Sequence, residues 1–174
     1  EVAIWNRVLT PAEITSIYNS GAPATIPSNT QQIDTDADGV PDYWENLYGL
    51  DKSDINDASS DTDKDGLSAM EEYGFGTLPN SKDQVLPYQQ TKINVAGTDY
   101  LAISYQRNPA ALQTLNIHIQ RSTDLKASPP WNNLNTEVHS VTPLDNGLEQ
   151  VVERSTTPIG TENKEFLRVR FSKK

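Results

Sequence analysis

The sequence predicts a mainly β protein, in which a C-terminal antiparallel β-sandwich follows a small acidic module of two loops and two short helices. Three observations lead to this fold class. Short runs of alternating apolar and polar residues fill the chain from residue 85 onward, an acidic pattern occurs twice within residues 34–72, and residues 2–21 contain one strand pattern and one helix pattern. The predicted units are a strand and helix at 1–23, a linker at 24–33, the acidic module at 34–82 and the sandwich at 83–174.

The N-terminal part of the chain has the pattern of one short strand and one helix. Residues 2–6 are mostly apolar, and Pro11 and Glu13 supply a proline and an acid for the first turn of a helix that ends near Gly21. Two elements cannot bury an apolar face by themselves, so we expect them to pack on another unit. Residues 24–33 are rich in Pro, Ser, Thr, Asn and Gln, which predicts a linker.

Six segments of the C-terminal part alternate apolar and polar residues, as half-buried strands do. Asn146-Gly147 lies between two of these segments and is a hairpin turn signal. Several short strands within about 90 residues are typical of a small β-sandwich. The predicted strands are 91–95, 100–106, 115–120, 136–141, 149–154 and 166–171.

The charge of the chain is concentrated in the acidic module. Ten Asp and three Glu against two Lys give residues 34–72 a net charge of −11, whereas the whole chain carries −10 and the remainder therefore carries +1. With no basic face, nucleic acid and anionic membrane surfaces are not expected as partners. No run of about 18 apolar residues predicts a membrane span. Because the chain has no cysteine, a small unit must gain stability from bound metal or from its neighbours.

Two copies of one loop pattern account for the acidity. The pattern Asp-x-Asp-x-Asp-Gly-x5-Glu spans residues 34–45, the first loop, and residues 61–72, the second loop. Calcium takes six to eight oxygens, and 12-residue loops of this kind supply them from positions 1, 3, 5, 7, 9 and 12, with a glycine at position 6 for the turn. The pattern therefore predicts two Ca²⁺ ions. The predicted ligands are Asp34, Asp36, Asp38, the Val40 carbonyl, Asp42 and Glu45 in the first loop, and Asp61, Asp63, Asp65, the Leu67 carbonyl and Glu72 in the second.

The remaining acids of this segment are less clearly assigned by their spacing. Position 9 of the second loop is Ala69, so we expect a water molecule to complete the second calcium shell. Asp51, Asp54 and Asp57 lie between the two loops, where they either cap turns or bind metal.

Each loop is predicted to lead into a short helix. Gly49 ends the first helix, whereas Ser68 and Glu71 form a capping box for the second, which ends at Gly74 or Gly76. No helix pattern precedes either loop, so the units are loop-helix halves of EF hands and not complete hands. A small core shared by the two helices is predicted from Tyr43, Trp44, Leu47, Leu67, Met70 and Tyr73.

The acidic module also has a sequence pattern that occurs in a known class of repeats. The first loop reads Asp-Thr-Asp-Ala-Asp-Gly-Val-Pro-Asp-Tyr-Trp-Glu, residues 48–51 read Tyr-Gly-Leu-Asp, and residues 61–68 read Asp-Thr-Asp-Lys-Asp-Gly-Leu-Ser. Together they resemble the bacterial thrombospondin type 3 calcium repeats and, more loosely, the dockerin modules of cellulosomes. The resemblance implies bound calcium. Animal repeats of this class add cysteines, which this chain lacks, so its stiffness must come from calcium alone.

Two further resemblances flank this module. Residues 1–14 read Glu-Val-Ala-Ile-Trp-Asn-Arg-Val-Leu-Thr-Pro-Ala-Glu-Ile, and with residues 18–21 they resemble the last strand and closing helix of laminin-G-like (concanavalin A-like) jelly-roll domains. The ligand-binding loops of such domains lie upstream, so no ligand site transfers. Residues 98–172, with Leu-x-Ile-x-Tyr-x-Arg at 101–107 and Phe-Leu-Arg-Val-Arg at 166–170, resemble a C-terminal β-sandwich module of large secreted bacterial proteins.

These features predict a non-enzymatic, calcium-stabilised structural or adhesion-type part of a secreted or cell-surface bacterial protein. Calcium would fix the joint between a lectin-like domain and the sandwich, and flanking domains of a larger chain are the expected partners. An accessory carbohydrate-binding region of a polysaccharide-degrading enzyme is one alternative, and self-association through an added strand at residues 2–6 is another. No nucleophile or phosphate-loop motif indicates an enzyme. His118 and His139 lie on predicted strands, far in sequence from any partner histidine.

Overall fold

The computed structural model describes residues 33–126, 131–160 and 165–174. The predicted N-terminal strand and helix, and all of the predicted linker except Ile33, lie outside the described residues. Within these ranges the protein is mainly β, with two antiparallel sheets and two α-helices, as the sequence predicts.

Within the described residues, seven strands form the two sheets of a β-sandwich-like fold. The first sheet has the order β1-β2-β6-β5 and the second has the order β4-β3-β7. All six predicted strands are present, and the additional strand is a two-residue segment too short to show an alternating pattern. The strands are β1 (Tyr88–Val95), β2 (Thr98–Arg107), β3 (Leu115–Ser122), β4 (Asn132–Asn133), β5 (Thr136–Pro143), β6 (Glu149–Ser155) and β7 (Phe166–Lys173).

Two tight turns fix the registers of the first sheet. Ala96 and Gly97 both have positive φ, 50° and 84°, which suits the two-residue turn between β1 and β2. The predicted Asn146-Gly147 turn connects β5 and β6, and the Gly147 N–H donates to the Leu144 carbonyl at 3.0 Å. Its position is confirmed.

The inward faces of the two sheets form the sandwich core. Ile103, Tyr105 and Val151 from the first sheet are almost completely buried, and Ile119 and Phe171 from the second sheet face the same core. Strand β5 is exposed along nearly its whole length. The apolar alternation therefore marks a true core face on β2, β3, β6 and β7, whereas β5 forms an open edge.

The helices of the acidic module are α1 (Asp42–Tyr48) and α2 (Ala69–Phe75). Each ends at a glycine in the left-handed conformation, Gly49 and Gly76, with φ of 79° and 78°. Trp44 and Tyr73 pack edge to face with ring centroids 5.6 Å apart. Both belong to the predicted shared core, but Leu47 does not, because 48% of its surface is exposed.

The acidic module packs directly on the sandwich. Phe75 of α2 meets Phe171 of β7 edge to face, with centroids 4.9 Å apart. The Thr114 hydroxyl donates to the Gly39 carbonyl at 2.7 Å, and the Lys173 ammonium donates to the Ala37 carbonyl at 2.9 Å. One continuous apolar core therefore runs from the helices into the sandwich, and the first loop rests on β7 and on the turn before β3.

Candidate metal centre

The two loops fold alike because their aspartates bond to the backbone that follows them. In the first loop the N–H groups of Asp38 and Gly39 donate to the two Asp34 oxygens at 3.2 and 2.9 Å. In the second loop the N–H groups of Asp65 and Gly66 donate to the two oxygens of Asp61 at 3.2 and 3.1 Å.

The sharp bend in each loop falls at the predicted glycine. Gly39 has φ of 104° and Gly66 has φ of 100°, a region that favours glycine. The pattern Asp-x-Asp-x-Asp-Gly therefore produces the same turn twice, and it directs the carboxylates of each loop toward one point.

Four carboxylates converge beside the first loop. One oxygen each from Asp36, Asp38, Glu45 and Asp57 lies within 4.8 Å of the others. Three of these residues were predicted ligands, and Asp57 was one of the acids that the sequence left open.

The oxygens of this group divide into two sets. One oxygen of Asp36 accepts from the Asp38 N–H, one of Asp38 from the Val40 N–H, and one of Asp57 from the Asp51 N–H. The second oxygen of each of these aspartates is buried and receives no hydrogen bond from the described residues, and the same holds for both Glu45 oxygens. Each carboxylate therefore keeps at least one oxygen for a cation.

Asp42, the predicted ligand at position 9, lies outside this group. Its carboxylate accepts hydrogen bonds from the N–H and the hydroxyl of Thr35, both at 2.7 Å, and lies 3.6 Å from the Lys52 ammonium. Burial alone would raise the pKa of Asp42, but the Thr35 bonds and the Lys52 charge lower it overall. Asp42 thus closes the first loop on its outer side.

The other predicted residues of the first loop have supporting positions. Asp34 bonds to the turn, as described above. Val40 is completely buried, and its N–H is held by Asp38 at 2.7 Å. Asp51 and Asp54, which the sequence left open, accept hydrogen bonds from the N–H groups of Ser53 and Asn56. These two aspartates cap turns.

The second loop brings Asp61, Asp63 and Asp65 together, with one oxygen of each within 4.8 Å of the others. The N–H of the buried Leu67 donates to Asp65 at 2.9 Å, as the N–H of Val40 does in the first loop. Glu72, from α2, is completely buried, and neither of its oxygens receives a hydrogen bond within the described part of the chain.

Burial and neighbouring negative charges disfavour the ionised form of the glutamates in both groups. Burial raises the pKa of Glu45 to about 8, and the charges of Asp38, Asp36 and Asp57 add to the rise. Burial likewise raises the pKa of Glu72 to about 8, and the charges of Asp63 and Asp65 add to the rise. Buried carboxylates without donors are costly unless a cation compensates them.

Both groups therefore have a composition that could hold a metal ion. All of the atoms that converge are carboxylate oxygens, which would suit hard divalent cations and not the softer metals that favour His or Cys. The two histidines do not contribute, because His118 bonds to the Ser172 hydroxyl at 2.9 Å and His139 lies on the exposed strand β5.

Spacing along the chain could not have assigned Asp57 to the first group. It follows Glu45 by 12 residues, beyond the 12-residue loop template. Its participation depends on the short 3₁₀ turn Asp57–Ser59, which returns the chain to the first loop. A loop pattern alone contains no information about such a return.

Comparison with known proteins adds no further identification. No helix within the described ranges is long and apolar enough to cross a membrane. No protein-family model, curated protein or solved structure matches this chain significantly.

Proposed function

We propose that this chain is a calcium-stabilised structural region of a secreted or cell-surface bacterial protein, in which two Ca²⁺ ions lock the acidic module onto the β-sandwich. The proposal follows the resemblance to bacterial thrombospondin type 3 repeats. In this function the metal is a permanent part of the fold, and the protein is not an enzyme.

One observation carries the proposal. Glu45 and Glu72 are both completely buried, and none of their four oxygens receives a hydrogen bond from the described residues. An unpaired buried charge destabilises a fold by several kcal/mol. Two such glutamates, each at position 12 of its loop and each beside aspartates, are best explained by a bound cation.

Calcium fits these groups better than magnesium does. Magnesium requires near-ideal octahedral geometry, keeps several waters and commonly takes one or two carboxylates, whereas calcium accepts six to eight oxygens in flexible geometry. The first group alone gathers four carboxylates. Extracellular calcium modules bind in the range of about 10⁻⁴ to 10⁻³ M, which suits permanent occupancy outside the cell.

A role as a joint is supported by the contacts at the first loop. The Asp42 N–H donates to the Ile33 carbonyl at 2.8 Å, which fixes the incoming chain at the start of α1. The same loop rests on β7 through the Lys173 contact. Calcium in the first loop would therefore set the direction in which the preceding residues leave the sandwich.

The test is a calorimetric calcium titration of chelator-stripped protein, with thermal melts in the presence and absence of calcium. We expect two sites and a higher melting temperature with calcium. Glu45→Gln and Glu72→Gln should each remove one site. At pH 8 and above, each should also raise the melting temperature of the metal-free protein, because a buried carboxylate charge without a donor is removed.

The matched control is Asp145→Asn, which removes an exposed acid outside both groups. It should leave both sites intact. If the unsubstituted protein shows neither binding heat nor stabilisation at millimolar calcium, the proposal fails.

A further inference from the structure

We propose that Asp83 is an additional ligand of the second metal site, so that the ion there clamps the segment leading into β1 against the second loop. This inference rests on the proposed function, because it adds a ligand to one of its two sites. It assigns a role to a residue outside both loop motifs.

The first line of evidence is the position of Asp83. Its backbone N–H donates to Asp65 Oδ2 at 2.9 Å, which places the residue directly beside the second group of carboxylates. Its own Oδ2 is buried and receives no hydrogen bond from the described residues. The Thr77 hydroxyl lies near the Asp83 carboxylate and favours its charged form, but no hydrogen bond of ordinary geometry joins the two.

The second line of evidence is the fully buried Glu72. Both of its oxygens lack donors within the described ranges, and Asp83 is among the charges that act on its carboxyl group. Glu72, Asp63 and Asp83 thus each have a buried oxygen without a donor at or beside the second loop, and a cation would compensate them.

The third line of evidence is an internal repeat longer than the loop motif. Each loop runs into a seven-residue helix that begins at loop position 9, and a left-handed glycine and then a further aspartate come after the helix. Asp57 follows Glu45 by 12 residues, and Asp83 follows Glu72 by 11. Asp57 contributes to the first group of carboxylates, so Asp83 is its counterpart in the second.

The clamp has a structural consequence for the segment between α2 and β1. The neighbouring Lys82 ammonium donates to the Lys64 carbonyl at 3.1 Å, so two consecutive residues attach this segment to the second loop. Asp83 also lines a groove of about 450 Å³ together with Tyr88 of β1 and Gln106 of β2. A cation bound by Asp83 would hold the acidic module to the first sheet at this groove.

The experiment uses calcium as the probe and the Glu45→Gln variant as the background, so that only the second site remains to be titrated. Addition of Asp83→Asn preserves the backbone N–H and the side-chain size but removes the charge. We expect calcium binding at least tenfold weaker than in Glu45→Gln alone. The matched pair is Asp57→Asn in the Glu72→Gln background, which should weaken the first site similarly, and Asp124→Asn in either background should change neither.

The outcomes separate this inference from the proposed function. If Glu45→Gln binds one calcium ion and Asp83→Asn does not alter its affinity, the role of Asp83 is refuted while the calcium function stands. If the unsubstituted protein binds no calcium, both the role of Asp83 and the calcium function are refuted. A clearly lower melting temperature of the metal-free Asp83→Asn variant would also overturn the inference, since it would assign Asp83 to the fold itself.

Discussion

At the scale of single residues, the two loop glycines offer a matched pair. Gly39 and Gly66 both occupy position 6 with similar positive φ, but their surroundings differ. A β-carbon on Gly39 would lie 2.8 Å from Leu115 Cδ2 and 3.0 Å from Lys173 Cβ, whereas one on Gly66 would meet nothing within 4 Å. The first loop is packed against the sandwich at this point, and the second loop is open to solvent.

We predict that Gly39→Ala destabilises the protein more than Gly66→Ala does. Both substitutions place alanine in the left-handed region, at a cost of about 1–2 kcal/mol. Gly39→Ala adds overpacking worth roughly 1–3 kcal/mol. Urea unfolding at saturating calcium measures the difference. Equal free energies of unfolding for the two variants would contradict the packing of the first loop on β3 and β7.

Individual carboxylates of the first group show what sequence can and cannot predict. The loop template correctly places Asp36, Asp38 and Glu45 in one group, because their positions depend on local turns of a few residues. It does not detect that Thr35 and Lys52 hold Asp42 away from that group. That outcome depends on competing hydrogen-bond donors whose positions are set by the folded chain.

At the scale of secondary-structure elements, α2 has a complete capping box and α1 has none. The Ser68 N–H donates to Glu71 Oε2 at 3.0 Å, and the Glu71 N–H donates to the Ser68 hydroxyl at 3.4 Å. Helix α1 begins at Pro41 without a side-chain cap. The start of α2 is therefore fixed by its own capping box, whereas the start of α1 is fixed by the fold of the preceding loop.

We predict that Ser68→Ala lowers the free energy of unfolding by about 1 kcal/mol, the usual effect of losing such a cap. Thermal unfolding at saturating calcium should detect it as a shift of roughly 3 °C. The control is Ser81→Ala, at an exposed position outside any helix. An unchanged melting temperature for Ser68→Ala would show that metal, and not the cap, determines where α2 begins.

The strands were predictable in number but less so in extent. Strand β1 was predicted to begin at residue 91, yet it begins at Tyr88. Gln89 and Gln90 interrupt the apolar alternation, but they pair with Ser104 and Ile103 of β2. Backbone pairing with a neighbour extends a strand where its own side chains give no signal.

At the scale of the whole molecule, the continuous core that joins the acidic module to the sandwich is the feature that the sequence did not reveal. Alternation shows which face of a strand is buried but not which element covers it. The contact between Phe75 and Phe171 joins residues that are far apart in the chain, and Asn108 adds a bond from its N–H to the Gly74 carbonyl at 2.8 Å. The acidic module and the sandwich therefore support each other.

The buried glutamates predict how the stability of the metal-free protein depends on pH. The pKa values of Glu45 and Glu72 rise from 4.5 to about 8 on folding. Protonation is thus favoured in the folded state, so its contribution is complete below about pH 4.5 and is lost as pH rises through 8. We predict that chelator-stripped protein melts at least about 5 °C lower at pH 8 than at pH 5.

Calcium should reverse this trend, because it binds the deprotonated carboxylates and competes with protons. Melting curves at both pH values, with and without calcium, measure the effect. The Glu45→Gln/Glu72→Gln double variant serves as the control and should show a much flatter profile without calcium. A melting temperature of the metal-free protein that increases from pH 5 to pH 8 would refute the assignment.

The contact between the first loop and β7 also has a consequence for the order of events during folding. Each loop closes through bonds that span only a few residues, so it can form early. The Lys173 bond to the Ala37 carbonyl joins positions 136 residues apart. The first loop therefore cannot reach its final position until almost the entire described chain has folded. The metal site proposed for the first loop would thus form among the first structures of this protein and be docked among the last.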